Sequence, residues 1–191
     1  APADGGLLRI DEVPTRGGRE RVIPPDVREG YDNALHCNGN GACYDFDLDA
    51  AMCPSWKGTR ERRHSPKGRA SVLREWLRLM VAEGADPLEE AAKLRATPAW
   101  RTLPARIVNT VRKHRGVHDF SHEVKETMDG CLACKACAGQ CPIKVDVPAF
   151  RAKFLELYHG RYLRPAKDGL VGAIEHLLPV AARLPALYNL A

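Results

Sequence analysis

Four cysteines crowded into residues 131–141 constrain this chain more than any other feature of its sequence. They follow the pattern C-x2-C-x2-C-x3-C-P, which places Cys131, Cys134, Cys137 and Cys141 ahead of Pro142. With this spacing, one short loop presents three thiolates to three irons of a cubane cluster, while the fourth cysteine turns away toward another centre. Thiolates are the soft ligands that iron–sulfur clusters require. The pattern therefore predicts a [4Fe–4S] site.

The number of cysteines also favours metal binding over disulfides. There are seven, so a disulfide framework would leave one unpaired, and cysteines three residues apart are poorly placed to pair with each other. The first residues show no secretory pattern, because Asp4, Arg9 and Asp11 interrupt them. We therefore expect a cytoplasmic protein whose reduced cysteines bind metal.

A first, less regular group of cysteines precedes this motif. It consists of Cys37, Cys43 and Cys53, and it repeats the pattern with Asn40 where the middle cysteine would stand. In ferredoxins with two motifs, the cysteine before proline ligates the cluster of the opposite motif. That rule predicts one complete ligand set, namely Cys53, Cys131, Cys134 and Cys137. It also predicts a second set that is one thiolate short, namely Cys37, Cys43 and Cys141.

The sequence leaves alternatives to this ligand assignment open. The short set could hold a [3Fe–4S] centre, a [4Fe–4S] centre with Asn40 as an oxygen ligand, or nothing. Of these, we expect one [4Fe–4S] cluster in the chain, with the second site degenerate or absent. A rival set is the contiguous one, Cys131, Cys134, Cys137 and Cys141. That ligand set would leave Cys53 without a role in metal binding. In a further alternative, Cys37 and Cys43 are simply small buried residues beside a Gly/Asn turn.

Helical periodicity dominates the remainder of the chain. Apolar residues recur at helical spacing along residues 68–82. Asp86 precedes a strong helix start, which predicts a helix over 87–96, and Asp26 is expected to cap an earlier short helix. Pro104 is interpreted as a break ahead of a further helix. No segment shows the alternation of a strand, so we predict an all-α fold.

These elements divide the chain into three predicted parts. Residues 1–25 are rich in Gly and Pro and form an irregular N-terminal arm. Residues 26–164 form a helical iron–sulfur domain, with a helical insertion at about 57–128 between the two cysteine motifs. Residues 165–191 form a C-terminal helical extension that leads to a domain missing from this chain.

Charge and hydropathy argue against nucleic-acid and membrane partners. The formal net charge is +5, but acidic and basic residues are interspersed over most of the chain. The basic segment 57–69 lacks the stacking aromatics of a nucleic-acid module. It is either a solvated loop or a surface that docks a partner and offsets cluster charge. The apolar stretch 169–191 is interrupted by charges and prolines, so we predict no membrane span.

Three segments resemble a known family: Cys37-Asn-Gly-Asn-Gly-Ala-Cys43, Met52-Cys-Pro-Ser55 and His64-Ser-Pro-Lys-Gly-Arg-Ala70. They look like the iron–sulfur segment of the long bacterial FAD-linked oxidases, which are similar to D-lactate and D-2-hydroxyglutarate dehydrogenases. The resemblance runs from about residue 28 to about residue 165. It implies an α-helical ferredoxin-like domain, as in the iron–sulfur subunits of succinate dehydrogenase and heterodisulfide reductase.

The resemblance also implies an electron-transfer role. Family members carry an FAD-binding domain ahead of this segment, so FAD is expected in the full-length protein. This chain has no Gly-rich dinucleotide turn and should not bind it. The implied partners are the FAD-binding domain, in the same or a partner chain, and a downstream electron acceptor. No residue resembles a proton-abstracting catalyst, so the chain alone should not turn over a 2-hydroxy acid.

Two other functions remain compatible with the same residues. A free-standing ferredoxin-like subunit of a redox complex would use an identical cysteine pattern. A zinc-binding structural or interaction module could be built from the same thiolates, because zinc also binds sets of four cysteines.

Overall fold

The structure, a computed structural model, describes residues 16–183. Residues 1–15 of the predicted arm and 184–191 of the predicted extension lie outside the described residues. The helices are α1 (Arg16–Glu20), α2 (Pro25–Gly30), α3 (Asp32–Leu35), α4 (Pro54–Thr59), α5 (Pro66–Ala82), α6 (Pro87–Ala96), α7 (Ala99–His114), α8 (Ser121–Asp129), α9 (Ala136–Gln140), α10 (Val147–Arg161) and α11 (Ala166–Ala181). Short 3₁₀ turns occupy Ala42–Tyr44 and Arg62–His64. No strand occurs in the described part, and the predicted all-α class is confirmed.

Helix α5 begins slightly earlier than its apolar periodicity predicts. Ser65 is its N-cap: the side-chain Oγ accepts a hydrogen bond from the backbone N–H of Gly68 at 3.0 Å. Pro66 occupies the first turn, where its missing N–H leaves no hydrogen bond unmade. The helix ends just before Gly84, which has a φ of 79°. The N-terminus of this helix lies beside both cysteine groups, as described below.

Two predicted helix caps have different outcomes. Asp86 caps α6 as expected, because its Oδ1 accepts from the N–H groups of Leu88 at 2.7 Å and Glu89 at 3.2 Å. The prediction that Asp26 caps the earlier helix is wrong. Helix α2 starts at Pro25, so Asp26 lies inside the first turn and makes no capping bond. An acidic residue there still interacts favourably with the helix dipole.

The core forms where α5 packs against α3, α8 and α10. Leu73 and Leu77 of α5 are fully buried. Trp76, also on α5, meets Phe154 of α10 edge to face, with ring centroids 5.1 Å apart. The α5 residues belong to the apolar set that recurs at helical spacing along residues 68–82. The packing fixes α5 and α10, the two helices whose N-termini face the cysteine loops.

Helix α7 continues through Pro104 instead of starting after it. Proline at this position removes one backbone N–H near the beginning of the helix, so the carbonyl of Trp100 has no N–H partner from residue 104. Trp100 is 69% exposed, so water can reach that part of the first turn. The helix begins at Ala99, directly after Pro98.

Helix α7 directs its polar side toward α10 and its apolar side toward solvent, which is the reverse of an ordinary surface helix. Its polar side faces α10: Asn109 donates to the carbonyl of Arg161 at 3.2 Å, and Lys113 donates to the hydroxyl of Tyr158 at 2.9 Å. None of the residues of α7 is buried in the described part of the chain. Its exposed apolar side chains are Trp100, Leu103, Ile107, Val108 and Val111.

The last described helix, α11, includes Pro179. Leu170 and Val171 on this helix are exposed. Within residues 16–183, none of the helices combines the length and the apolar character needed to cross a membrane.

Candidate metal centre

The two cysteine groups lie at helix ends and in the loops between them. In the first group, Cys37 follows α3, Cys43 lies in a 3₁₀ turn, and Cys53 is the residue before α4. In the second group the residues are Cys131 after α8, Cys134 in the loop, Cys137 in α9 and Cys141 at the end of α9.

One cavity is lined by four cysteines from both groups: Cys53, Cys131, Cys134 and Cys137. The cavity is partly open to solvent. Cys53 and Cys137 are buried, whereas Cys134 is exposed. The structure therefore brings together the complete set that the sequence predicts. Distant Cys53 lies beside the closely spaced trio, and Cys141 does not line this cavity.

The backbone around this cavity adopts conformations that non-glycine residues usually avoid. Cys53, Ala133 and Lys135 have φ values of 50°, 54° and 60°. Such left-handed residues cost free energy and concentrate at functional sites. Left-handed residues within a turn direct backbone N–H groups toward one concave side, which favours an anionic group. The N–H of Ala133 donates to Sγ of Cys131 at 3.4 Å, the kind of hydrogen bond that a cluster thiolate accepts.

A buried arginine forms one wall of the same cavity. Arg69 of α5 is 1% exposed, and its Nη1 lies 3.7 Å from Sγ of Cys53. Its Nη2 donates to Oγ of Ser55 at 2.9 Å, and its Nε donates to the carbonyl of Thr127 at 3.0 Å. Nη1 also donates to the carbonyl of His64. The sequence did not single out Arg69, although it lies within the segment that resembles the oxidase family.

The remaining cysteines line a second cavity. Cys37, Cys43 and Cys141 are each 8% exposed, and Lys67 lies in the wall. Pro66 lines both cavities, so the two groups of thiols are neighbours across the first turn of α5. The division of the cysteines between the two cavities follows the crossed arrangement predicted from the sequence.

Asn40, which stands in place of the middle cysteine of the first motif, uses its side chain to shape the loop. Its Oδ1 accepts a hydrogen bond from the N–H of Ala42 at 3.0 Å. Its own N–H donates to Oδ1 of Asn38 at 3.1 Å. The residue as a whole is exposed. The side-chain oxygen thus already has a backbone partner.

Burial disfavours the charged form of two of the thiols. Desolvation raises the pKa of Cys137 to about 11, and it also raises the pKa of Cys43. A positively charged group such as iron is therefore needed to stabilise the thiolates. Among residues 16–183, no three His, Cys, Asp or Glu side chains converge as they would on a single metal ion. A [4Fe–4S] cluster does not require such convergence, because each thiolate binds a different iron.

The basic segment 57–69 is not one continuous surface. Arg69 is buried at the first cavity and Lys67 lies at the second. Lys57 donates to the carbonyls of Asp47 and Ala50. The more exposed arginines pack over aromatic rings or pair with acids: Arg60 over Phe46, Arg62 over Tyr44, and Arg63 with Glu61 and Glu126. Two of the six cations therefore face the cysteines, and the others stabilise the surrounding loop.

Comparison with known families identifies this cysteine arrangement. A sequence profile described as "4Fe-4S dicluster domain" matches residues 33–145, which include both motifs. The chain belongs to the 4Fe–4S dicluster domain family. This description agrees with the predicted [4Fe–4S] cofactor, and the cavity of four thiols is a donor set that fits it. Within the matched residues, the first motif has Asn40 at the position that Cys134 holds in the second.

Three longer proteins are similar to this 4Fe–4S dicluster domain over nearly its whole length, and each is named D-2-hydroxyglutarate dehydrogenase. The protein of Pseudomonas putida is 55% identical over 96% of the chain, and those of Pantoea ananatis and Escherichia coli are 52% identical over 98% and 97%. The chain spans 18% of the length of each relative. No solved structure matches the chain.

Proposed function

We propose that this chain is the electron-relay domain of an FAD-linked 2-hydroxyacid dehydrogenase and that it binds one [4Fe–4S] cluster. The proposed ligands are Cys53, Cys131, Cys134 and Cys137. The observation that carries the proposal is the cavity that these four thiols line together, although Cys53 is far from the others in sequence. The similarity to D-2-hydroxyglutarate dehydrogenases supports the class of parent enzyme.

A [4Fe–4S] cluster, when bound, accepts and donates one electron at a time. The chain's own residues hold it and control access to it. Cys53 and Cys137 are buried within the helical packing, which limits the reorganisation that accompanies a change of charge. Cys134 is exposed and Leu132 is 70% exposed, so the loop between Cys131 and Cys137 is the edge that a redox partner can approach.

We propose that the second set of thiols, at Cys37, Cys43 and Cys141, is a degenerate site without a second [4Fe–4S] cluster. It is one thiolate short of the four that such a cluster takes. Asn40 lines this cavity but offers an amide oxygen, which is a poor substitute for the soft thiolate that an iron–sulfur cluster prefers. A [3Fe–4S] centre needs only three thiolates, and the iron content of the protein distinguishes it from an empty site.

The proposed partners follow from the length of the relatives. The donor is an FAD-binding domain, in the same or a partner chain, and the acceptor is a downstream one-electron carrier. A flavin that oxidises a 2-hydroxy acid gains two electrons, which leave singly through this domain. D-2-hydroxyglutarate is the proposed substrate of the whole enzyme because the relatives carry that name. We propose a cytoplasmic location, and no turnover of substrate by this chain alone.

The proposal is tested by purifying the chain anaerobically and counting iron and acid-labile sulfide, with EPR of the oxidised and reduced forms. We expect about four irons and four sulfides per chain and one signal in the reduced form. Photoreduced free flavin should then bleach the visible absorption of the protein, and an added one-electron oxidant should restore it. A colourless protein that contains zinc and no iron would overturn the proposal in favour of a structural zinc module.

The alternative of a separate ferredoxin-like subunit makes a different prediction about the reading frame. Sequencing the native gene distinguishes the two. An FAD-binding domain encoded in the same polypeptide supports the relay of one long enzyme. A reading frame without one supports a subunit that docks to a separate flavoprotein.

A further inference from the structure

Arg69 has an unusual electrostatic position for a buried side chain. It is 1% exposed, and the guanidinium group remains protonated in proteins. Its three oxygen partners are the carbonyls of His64 and Thr127 and the hydroxyl of Ser55, all of them neutral. Within residues 16–183, no Asp or Glu side chain forms an ion pair with it. A buried charge without a counter-charge is costly.

A second buried arginine on the same helix has a carboxylate close to its guanidinium group. Arg74 is 4% exposed, and its Nε lies 3.6 Å from Oε1 of Glu20. Its Nη1 donates to the carbonyl of Cys37 at 3.0 Å. Two arginines of similar burial, one helical turn and a half apart, thus differ in whether a carboxylate balances the charge. The counter-charge of Arg69 must come from elsewhere.

The thiol of the first cavity that Arg69 contacts is that of Cys53, with Nη1 and Sγ 3.7 Å apart. We propose that Arg69 is the built-in counter-charge of the cluster at Cys53, Cys131, Cys134 and Cys137, and that it raises the reduction potential of that cluster. This inference rests on the proposed function. A cluster with four thiolate ligands is anionic, and each one-electron reduction by dithionite or a reduced flavin adds one further negative charge. A fixed positive charge beside Cys53 favours the more negative, reduced form.

A purely structural role for Arg69 predicts a different result. Its hydrogen bonds join α4, the 3₁₀ turn at Arg62–His64 and α8, so its loss would loosen the cavity wall in any case. Loosening changes stability, whereas removal of a charge changes the potential of a fully loaded cluster. The reduction potential is therefore the discriminating measurement.

The first test compares Arg69→Met, Arg69→Lys and Arg74→Met, each purified anaerobically and titrated with dithionite while the visible absorption and EPR are followed. In Arg69→Met we expect the equilibrium constant for one-electron reduction to fall about tenfold, which is a shift of about 59 mV to lower potential. Arg69→Lys keeps the charge and should retain most of the wild-type potential. Arg74→Met removes a charge that Glu20 balances, and should shift the potential much less.

A second variant does not depend on Arg69 being replaceable. Ser55→Asp introduces a carboxylate at the position where Nη2 of Arg69 already donates, 2.9 Å from Oγ. We expect it to stabilise the metal-free protein, because it supplies the missing counter-charge. It should also lower the potential of the loaded protein. Unchanged potentials in both Arg69→Met and Ser55→Asp would overturn the role assigned to Arg69.

Iron and sulfide are counted in every sample before the titration. A wild-type protein without iron contradicts the proposed function itself, and the proposed role of Arg69 with it. Full loading in all variants with equal potentials contradicts the role of Arg69 alone. Equal shifts in Arg69→Lys and Arg69→Met would also contradict it, since shape and not charge would then be responsible.

Discussion

Oδ1 of Asn40 accepts a hydrogen bond from the backbone N–H of Ala42 at 3.0 Å. The residue that stands in place of a cysteine in the first motif thus stabilises the turn of its own loop through its side-chain oxygen. Asn40 lines a cavity together with Cys37, Cys43 and Cys141. What the second site lacks is a fourth thiolate.

A cysteine at position 40 should allow the second site to bind a [4Fe–4S] cluster. In Asn40→Cys we expect the iron content to rise from about four to about eight per chain, because four thiolates would then face each cavity. A second reduced EPR signal should accompany the additional iron. The matched control is Asn40→Ser, which keeps a small polar side chain in the loop and should leave the iron content at about four. An iron content that does not rise in Asn40→Cys would show that the second cavity cannot accept a cluster.

Gly68 is required where α5 approaches the preceding turn. A Cβ at this position would lie 2.1 Å from the carbonyl oxygen of Arg62 and 2.8 Å from Cα of Arg63, and both are backbone atoms. Gly68→Ala must therefore displace the turn or the helix, and we expect it to destabilise the protein by about 1–3 kcal/mol. The displacement would also move Arg69 away from Cys53. Urea unfolding and iron content, measured on the same sample, check both effects.

The control for Gly68 is Gly58, which lies within α4 and would have no atom within 4 Å of an added Cβ. Gly58→Ala should stabilise the protein by about 0.5–1 kcal/mol, because alanine loses less backbone entropy in a helix. If both substitutions changed stability equally, close backbone contact would not be the reason for glycine at position 68.

His159 should make the protein acid-sensitive below neutral pH. It is 8% exposed, and its Nδ1 has no hydrogen-bond partner in the described part of the chain. Burial, with a smaller contribution from Arg164 and Lys125, lowers its pKa to about 4, although Asp168 opposes this shift. The unfolded chain therefore binds a proton near pH 6.5 that the folded chain does not, and stability falls as the pH drops from 6.5 toward 4.

The free energy of unfolding should accordingly decrease by up to about 2 kcal/mol between pH 7 and pH 5 on account of this residue. In His159→Gln most of that decrease should disappear, and the stability at pH 7 should change less than the stability at pH 5. His118→Gln is the control, because that side chain is 80% exposed. A pH dependence that is the same in His159→Gln and in the wild type would contradict the prediction.

The outward apolar face of α7 should tolerate polar substitution. Ile107 is 45% exposed and Val111 is 44% exposed, while Asn109 and Lys113 make the contacts with α10. Ile107→Gln should therefore change the free energy of unfolding by no more than about 0.5 kcal/mol. Leu73→Ala, at a fully buried position of α5, should cost about 2–5 kcal/mol. A large cost for Ile107→Gln would mean that this face is covered in the folded protein.

The sequence predicts those features that depend on neighbouring residues. Asp86 caps α6 as predicted because capping involves only residues two and three positions later. The prediction that Asp26 is a helix cap is wrong because α2 already begins at Pro25. Proline is favoured at the first position of a helix, so the helix can begin there without an acidic cap. The sequence indicates a break at Pro104, but α7 continues through it. A proline near the start of a helix removes only one backbone hydrogen bond, so the helix can tolerate it there.

Features that depend on tertiary packing could not be predicted from the sequence. The apolar residues of α7 give a correct helical period, but the period does not reveal that the polar side faces α10. Arg69 belongs to a basic segment, and nothing in its spacing distinguishes it from the exposed Arg63. Its burial follows from the close approach at Gly68 and from partners as distant as Thr127.

The central claim is that Cys53, and not Cys141, completes the ligand set begun by Cys131, Cys134 and Cys137. The direct test is iron and sulfide content with EPR of the reduced protein in Cys53→Ala and Cys141→Ala, prepared identically and without oxygen. We predict that Cys53→Ala loses the [4Fe–4S] signal and its iron, whereas Cys141→Ala keeps both. A cluster that survives in Cys53→Ala and is lost in Cys141→Ala would contradict the account.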